Sequence, residues 1–207
     1  YAGLREGYSG GYQLAGSSNL DLNITEFVTV NFDAVKDIID NIGGISMNIT
    51  SEEVSHIPGI SSAGTYNLTG EQALAYARIR HATGGDYKRT ERMRDVLTAV
   101  ANKVKTFNIS QLNQFVDFVL PKIYTNITAA DIFSLMPSAT SFKITDSIGW
   151  PYETKGITLD RWYGVPITLE SNVTRLHQEV FEESDYTPSD TVKQISDSIV
   201  QKTAYSE

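Results

Sequence analysis

The chain has 207 residues, 41% of them hydrophobic, enough to bury a sizeable core and most simply read as one domain. Its net charge of −8 excludes broad nucleic-acid binding, which needs a basic surface, and the absence of cysteine excludes a disulfide framework and thiolate metal sites. No apolar run reaches about 18 residues and no signal-peptide pattern occurs, so no segment reads as a membrane span or export signal.

The sequence starts at Tyr1 rather than Met, so an upstream piece, carrying any anchor, is expected to have been removed. Residues 1–24 are rich in Gly and Ser and read as a loop-like remnant, 25–202 as the folded domain, and 203–207 as a polar tail. Phe27, Val28, Val30 and Phe32 suggest a buried strand. Val35, Ile38, Ile39 and Ile42 then recur at helical spacing, Gly43 and Gly44 end that helix, and Ile45, Met47 and Ile49 alternate as a strand does. Strand, helix, strand in this order suggests a βαβ crossover. Thr69 and Gln72 form a capping box that opens a short helix. A longer helix is expected over 86–105, with Met93, Val96, Leu97, Val100 and Val104 as its apolar stripe. Helices follow over 110–120, stopped by Pro121, and over 128–136, then a strand through Phe142, Ile144 and Ile148, and helices over 168–183 and 189–202. The pattern predicts an α/β fold: a single domain with a mixed central sheet flanked by helices on both faces.

Six Asn-x-Ser/Thr triplets begin at Asn23, Asn48, Asn67, Asn108, Asn126 and Asn172. Thr69, Ser110 and Thr128 stand where helix N-caps are needed, which accounts for half of them without glycosylation.

Charge is unevenly spread. Between Arg78 and Arg94, five arginines and Lys88 face only Asp86 and Glu91, so this stretch carries +4 and the remainder −12. Such a local excess on an acidic protein points to an anion site. Arg78 and Arg80 are two apart, so they share one face only on extended chain; a helix would send them about 200° apart. Their convergence therefore requires the helix from Gly70 to end by Arg78, with Gly84 and Gly85 turning the chain toward a helix capped by Asp86. Lys88, Arg89 and Arg92 then sit in the first turns of that helix, where the macrodipole disfavours a cation by about 0.3–1 kcal/mol each. A bound phosphate group would resolve this conflict, because free N–H groups and arginine forks together hold an anion. The plainer alternative is that the arginines are solvated or pair with carboxylates. His81 could act as a general base, though a surface role is the commoner use of such a residue. Trp150, Trp162 and the 11 tyrosines could stack on sugars, with core packing expected for most.

At these residues the sequence resembles the LytR-CpsA-Psr family of cell-envelope proteins. The resemblance rests on Tyr66-Asn-Leu-Thr-Gly-Glu-Gln-Ala-Leu, Ala77-Arg-Ile-Arg80, Gly85-Asp-Tyr-Lys-Arg89 and Arg92-Met-Arg94, in the family's order and spacing. Supporting similarity runs upstream through Val30-Asn-Phe-Asp33 to Gly43-Gly44, and downstream through Trp162, Val165-Pro166, Glu170-Ser-Asn-Val173, Leu176-His177 and Tyr186. The resemblance implies a phosphotransferase that moves a glycopolymer, such as teichoic acid or capsule, from a polyprenyl pyrophosphate carrier to peptidoglycan at the outer face of a Gram-positive cell membrane. It implies catalytic roles for Arg78, Arg80, Asp86 and Arg89, and pyrophosphate binding by Arg78, Arg80, Arg89 and Arg92. It further implies Mg2+, and an N-terminal membrane anchor. The family's magnesium-binding aspartate motif and Pro-Arg-Asp segment are not found within these 207 residues, so the metal ligands are expected upstream and no metal site is assigned here. The chain by itself is accordingly expected to bind the carrier weakly and turn over little. A different class of function, a non-catalytic module that captures phosphorylated glycan or lipid carrier and regulates wall assembly, fits the same residues. A transcription regulator ranks last, since no helix-turn-helix with basic readout residues is evident.

Overall fold

The computed structural model of the chain describes residues 17–80, 85–138, 141–142, 144, 148–160 and 162–206. Helices and strands mix throughout, as an α/β fold requires, and the described chain gathers into two compact units, Val28–Ser147 and Ile148–Glu207 with Tyr1–Phe27.

In the first unit, β1 (Val28–Thr29) is short because Asn31 ends it: the Asn31 side chain accepts the Ala34 N–H at 2.8 Å and caps α1 (Phe32–Asn41). The expected strand through Phe32 is thus cut to two residues, and Phe32 belongs to the helix. Helix α1 ends at Gly43 and Gly44, both at positive φ, where Gly44 N–H donates to the Ile39 carbonyl. Strand β2 (Ile45–Ile49) buries Ile45, Met47 and Ile49 and exposes Ser46 and Asn48, the period of two read from sequence. Its partner is β3 (Gly64–Leu68), antiparallel, with Ile45 opposite Leu68 and Ile49 opposite Gly64. The expected βαβ crossover does not form. β1 pairs instead with β4 (Tyr124–Thr125), and the third described sheet is again a two-stranded antiparallel pair.

Helix α2 (Gly70–Ala77) opens with the predicted capping box, Thr69 and Gln72 each accepting the other's backbone N–H. Helix α3 (Gly85–Val104) packs Met93, Val96, Val100 and Val104 on the core around Ile39, Ile45, Leu68 and Tyr76; Leu97, read as part of the stripe, is 59% exposed. Helix α4 (Ile109–Val119) is capped by Asn108 with Gln111, two residues before the expected Ser110, and Pro121 lies in the 3-10 turn that follows it. Thr128 and Asp131 make the reciprocal pair at the start of α5 (Ala129–Leu135). Phe142, Ile144 and Ile148 form no strand and are about half exposed.

In the second unit, β5 (Thr154–Thr158) and β6 (Trp162–Pro166) form an antiparallel hairpin not foreseen from sequence. The tryptophans are not core residues: Trp150 is 37% and Trp162 56% exposed. Helices α6 (Leu169–Val180), capped by Thr168, and α7 (Asp190–Thr203), capped by Ser189, pack on a small core of Leu169, Val173 and Val192. Residues 17–20, expected as loop, are helical, and Leu20 packs on this core. Tyr205, in the expected tail, donates its hydroxyl to the Gly156 carbonyl.

Asp21 ties the unit's ends together, accepting from the Ser189 N–H and hydroxyl and from the Tyr186 hydroxyl. Partial burial raises its pKa, but the bonds from Ser189 and Tyr186, with the nearby His177, outweigh this and hold the carboxyl below its ordinary value. A carboxylate with a lowered folded pKa contributes stability above its unfolded pKa of about 3.9, and that contribution is lost as pH falls through the lower folded value. Asp21→Asn is therefore expected to be less stable than wild type at pH 7, with the gap closing below about pH 4. Denaturant titrations at pH 7 and pH 3 check this; a gap no narrower at pH 3 than at pH 7 would contradict it.

Candidate functional site

Three of the arginines singled out from sequence meet in the first unit. Helix α2 ends at Ala77, with Arg78 as its C-cap residue; the Ile79 N–H closes the turn on the Tyr76 carbonyl, and Ile79 and Arg80 lie beyond the helix. Ile79 is buried while Arg78 and Arg80 are exposed, which is the alternation that places both arginines on one face. Helix α3 starts at Gly85 and brings Arg89 to them. The three arginines line one cavity of about 500 Å³, whose wall is completed by Phe32, Ala77 and Met93. The Arg78 guanidinium lies 4.2 Å from the centroid of the Phe32 ring, a cation–π contact that restrains it.

None of the described residues lining the cavity is acidic. Three guanidiniums against an apolar wall make a site for an anion with several oxygens, because each fork offers paired donors and the wall lowers the local dielectric. The described lining side chains offer no carboxylate or other oxygen of the kind that Mg2+ takes. Among the described residues there is no group of three or more His, Cys, Asp or Glu able to hold a metal.

Asp86, expected to cap α3, lies inside its first turn; its side chain is outside the described residues, as is His81. Lys88, in the same region, forms an exposed ion pair with Glu91 at 2.8 Å.

Arg92, expected on the pyrophosphate, is not among the residues that line the arginine cavity; it is 6% exposed, and its Nε donates to Glu53 Oε1 at 2.8 Å. Glu53, equally buried, also accepts the Thr50 N–H at 3.0 Å. Burial raises the Glu53 pKa, but the Thr50 and Arg92 bonds outweigh it and leave the carboxyl below its ordinary value. Tyr76 lies beside this pair and donates its hydroxyl to Asp95; burial and the carboxylates of Glu53 and Asp95 push its pKa well up. Sequence reasoning missed Glu53. The available signal was the phase of Arg92, four residues before the core residue Val96, where a charge needs a buried partner.

Among the described residues no helix is long and apolar enough to cross a membrane.

The chain is similar to known proteins in sequence and in fold. The chain is 32% identical over 149 residues to a protein of Bacillus subtilis (strain 168) named polyisoprenyl-teichoic acid–peptidoglycan teichoic acid transferase TagT, covering 67% of this chain and 46% of TagT. It spans about half the length of the curated relatives it matches. A crystal structure from Enterococcus faecalis, described as a transcriptional regulator, superposes with a TM-score of 0.71 at 26% identity, covering 92% of this chain and 70% of that one. The B. subtilis TagV crystal structure superposes with a TM-score of 0.67 at 26% identity, covering 83% and 68%. A family model described as the LytR_cpsA_psr family matches residues 10–165, three quarters of the sequence, so the chain belongs to the LytR-CpsA-Psr family.

Proposed function

We propose that the chain is the arginine-bearing part of a transferase that moves a glycopolymer from a polyprenyl pyrophosphate carrier onto peptidoglycan, at the outer face of a bacterial cell membrane. The carrying observation is the convergence of Arg78, Arg80 and Arg89 on one cavity with an apolar wall and no acid among its described lining residues. Relatives named as teichoic acid transferases, TagT among them, support the substrate class.

In this reading the guanidiniums hold the pyrophosphate oxygens. A sugar hydroxyl of the acceptor attacks the phosphorus nearest the glycan; a new P–O bond forms there, the P–O–P bridge breaks, the lipid monophosphate leaves, and the hydroxyl proton passes to water or to the departing phosphate. Charge grows on the bridging oxygen as that bond breaks, and arginines fixed around it lower the barrier because they need no reorganisation. Asp86 is assigned to the same site, in the first turn of the helix that carries Arg89.

Replacing Arg78, Arg80 or Arg89 by Ala is expected to weaken binding of a polyprenyl pyrophosphate-linked glycan by about 1.5–3 kcal/mol each, the scale of a charged hydrogen bond, with little change in melting temperature. Calorimetric titration and thermal melts of the three variants check this. Variants that bind as wild type but melt much lower would make the arginines structural and end the proposal.

A further inference from the structure

Arg92 makes a second contact that its pairing with Glu53 does not require. Its Nη1 donates to the Ile79 carbonyl at 3.4 Å. Ile79 is the residue between Arg78 and Arg80, just past the end of α2, where backbone carbonyls have lost their helical partners. One guanidinium on α3 therefore fastens the peptide from which Arg80 departs, one turn along from Arg89 on the same helix. Glu53 fixes that guanidinium from the other side and is itself held by the Thr50 N–H.

We propose that Glu53 and Arg92 form a positioning pair that locks the Arg78–Arg80 segment against α3, and so sets the spacing of the three guanidiniums around the cavity. The inference rests on the anion-site reading above. A buried ion pair is weak ground for stability, because apolar residues of similar volume do as well or better. What an apolar pair cannot supply is a donor to the Ile79 carbonyl aimed from a fixed direction. Lysine cannot supply it together with the Glu53 bond either, since its single ammonium lacks the two-armed planar fork.

Two variants separate positioning from folding. Arg92→Lys keeps the charge opposite Glu53, and the double variant Glu53→Leu with Arg92→Met replaces the pair by apolar side chains. The probe is inorganic pyrophosphate, titrated while the arginine Nε–H signals are followed by NMR. Both variants are expected to remain folded, to shift the ligand-free Arg78 and Arg80 signals, and to bind pyrophosphate about 5- to 20-fold more weakly, a range comparable with the coupling found for residues sharing one network. In an Arg80→Ala background the further loss from Arg92→Lys should shrink, because the effect passes through Arg80; equal losses in both backgrounds would overturn positioning. If wild type binds no pyrophosphate, the anion-site reading falls, and the ligand-free spectra still decide the inference: unchanged Arg78 and Arg80 signals in Arg92→Lys overturn it, and shifted signals support it. Should the double variant not fold, Arg92→Lys carries the same test alone.

Discussion

Gly70→Ala is expected to destabilise the 28–147 unit by an amount on the order of 4 kcal/mol, at or beyond the usual overpacking range. A β-carbon at Gly70 would lie 2.2 Å from the Lys36 carbonyl oxygen and 2.8 Å from the Lys36 Cα and carbonyl carbon. These are backbone atoms of α1, so no side chain can swing aside; the two helices must separate. Separation stretches the 2.7 Å bond that Gly70 N–H donates to Asp40 Oδ1. In an exposed helix the same change would stabilise by about 1 kcal/mol, so even the sign depends on the packing. Gly43→Ala is the control. A β-carbon there meets nothing within 4 Å, and only the φ of 78° penalises it, by about 1–2 kcal/mol. Denaturant midpoints of the two variants decide the matter, with amide exchange in α2 as the local readout. A Gly70→Ala loss no larger than that of Gly43→Ala would contradict the close approach. Because α2 delivers Arg78, the Gly70 variant should also weaken pyrophosphate binding.

Which parts of this unit were legible in the sequence follows from the reach of the forces involved. The end of α2 at Arg78 could be read because capping and the Arg-x-Arg spacing are local, whereas the expected turn at Gly84 lies outside the described residues. The shift from Ser110 to Asn108 was also readable, since Gln111 three residues after Asn108 completes a capping box. Arg92 stands apart from the cavity because charge alone does not fix which face of a helix a residue takes. On α3, Arg89 and Met93 share the phase that faces the cavity, whereas Lys88, Arg92 and Asp95 line a different groove beside Tyr76. Its partner Glu53 is 39 residues away in sequence, and no local pattern links them. The β5–β6 hairpin escaped for another reason: Gly156 and Gly164 stand opposite each other and remove two side chains from the alternation that would mark the strands. The pairing of β2 with β3 instead of β1 is a tertiary choice, made once Asn31 had claimed Phe32 for a helix.

Asn172→Ala is expected to cost the second unit about 3–5 kcal/mol, because one buried amide there satisfies several backbone groups and each lost partner counts. Asn172 is 3% exposed. Its Oδ1 accepts the Tyr152 and Glu153 N–H groups at 2.7 and 3.1 Å, while Nδ2 donates to the Thr168 carbonyl at 2.7 Å, with longer contacts to Ile167 and Glu153. The side chain thus replaces a strand partner for residues 152–153 and fastens them to the first turn of α6. Alanine leaves the Tyr152 and Glu153 N–H donors without the Asn172 Oδ1 acceptor. Asn172→Asp separates hydrogen bonding from packing: it keeps the shape and the acceptor but turns the donor side into a carboxylate oxygen facing the Thr168 carbonyl, so it should cost at least as much as alanine at pH 7. The burial also bears on Asn172-Val-Thr174 as a glycosylation triplet, since an amide nitrogen committed to the Thr168 carbonyl cannot carry a glycan in the folded unit. Denaturant unfolding gives the magnitude, and amide exchange at Tyr152 and Glu153 gives the location. Loss of protection at those two amides ahead of α6 and α7 is the expected order; unchanged protection with wild-type stability would mean that another group replaces the amide.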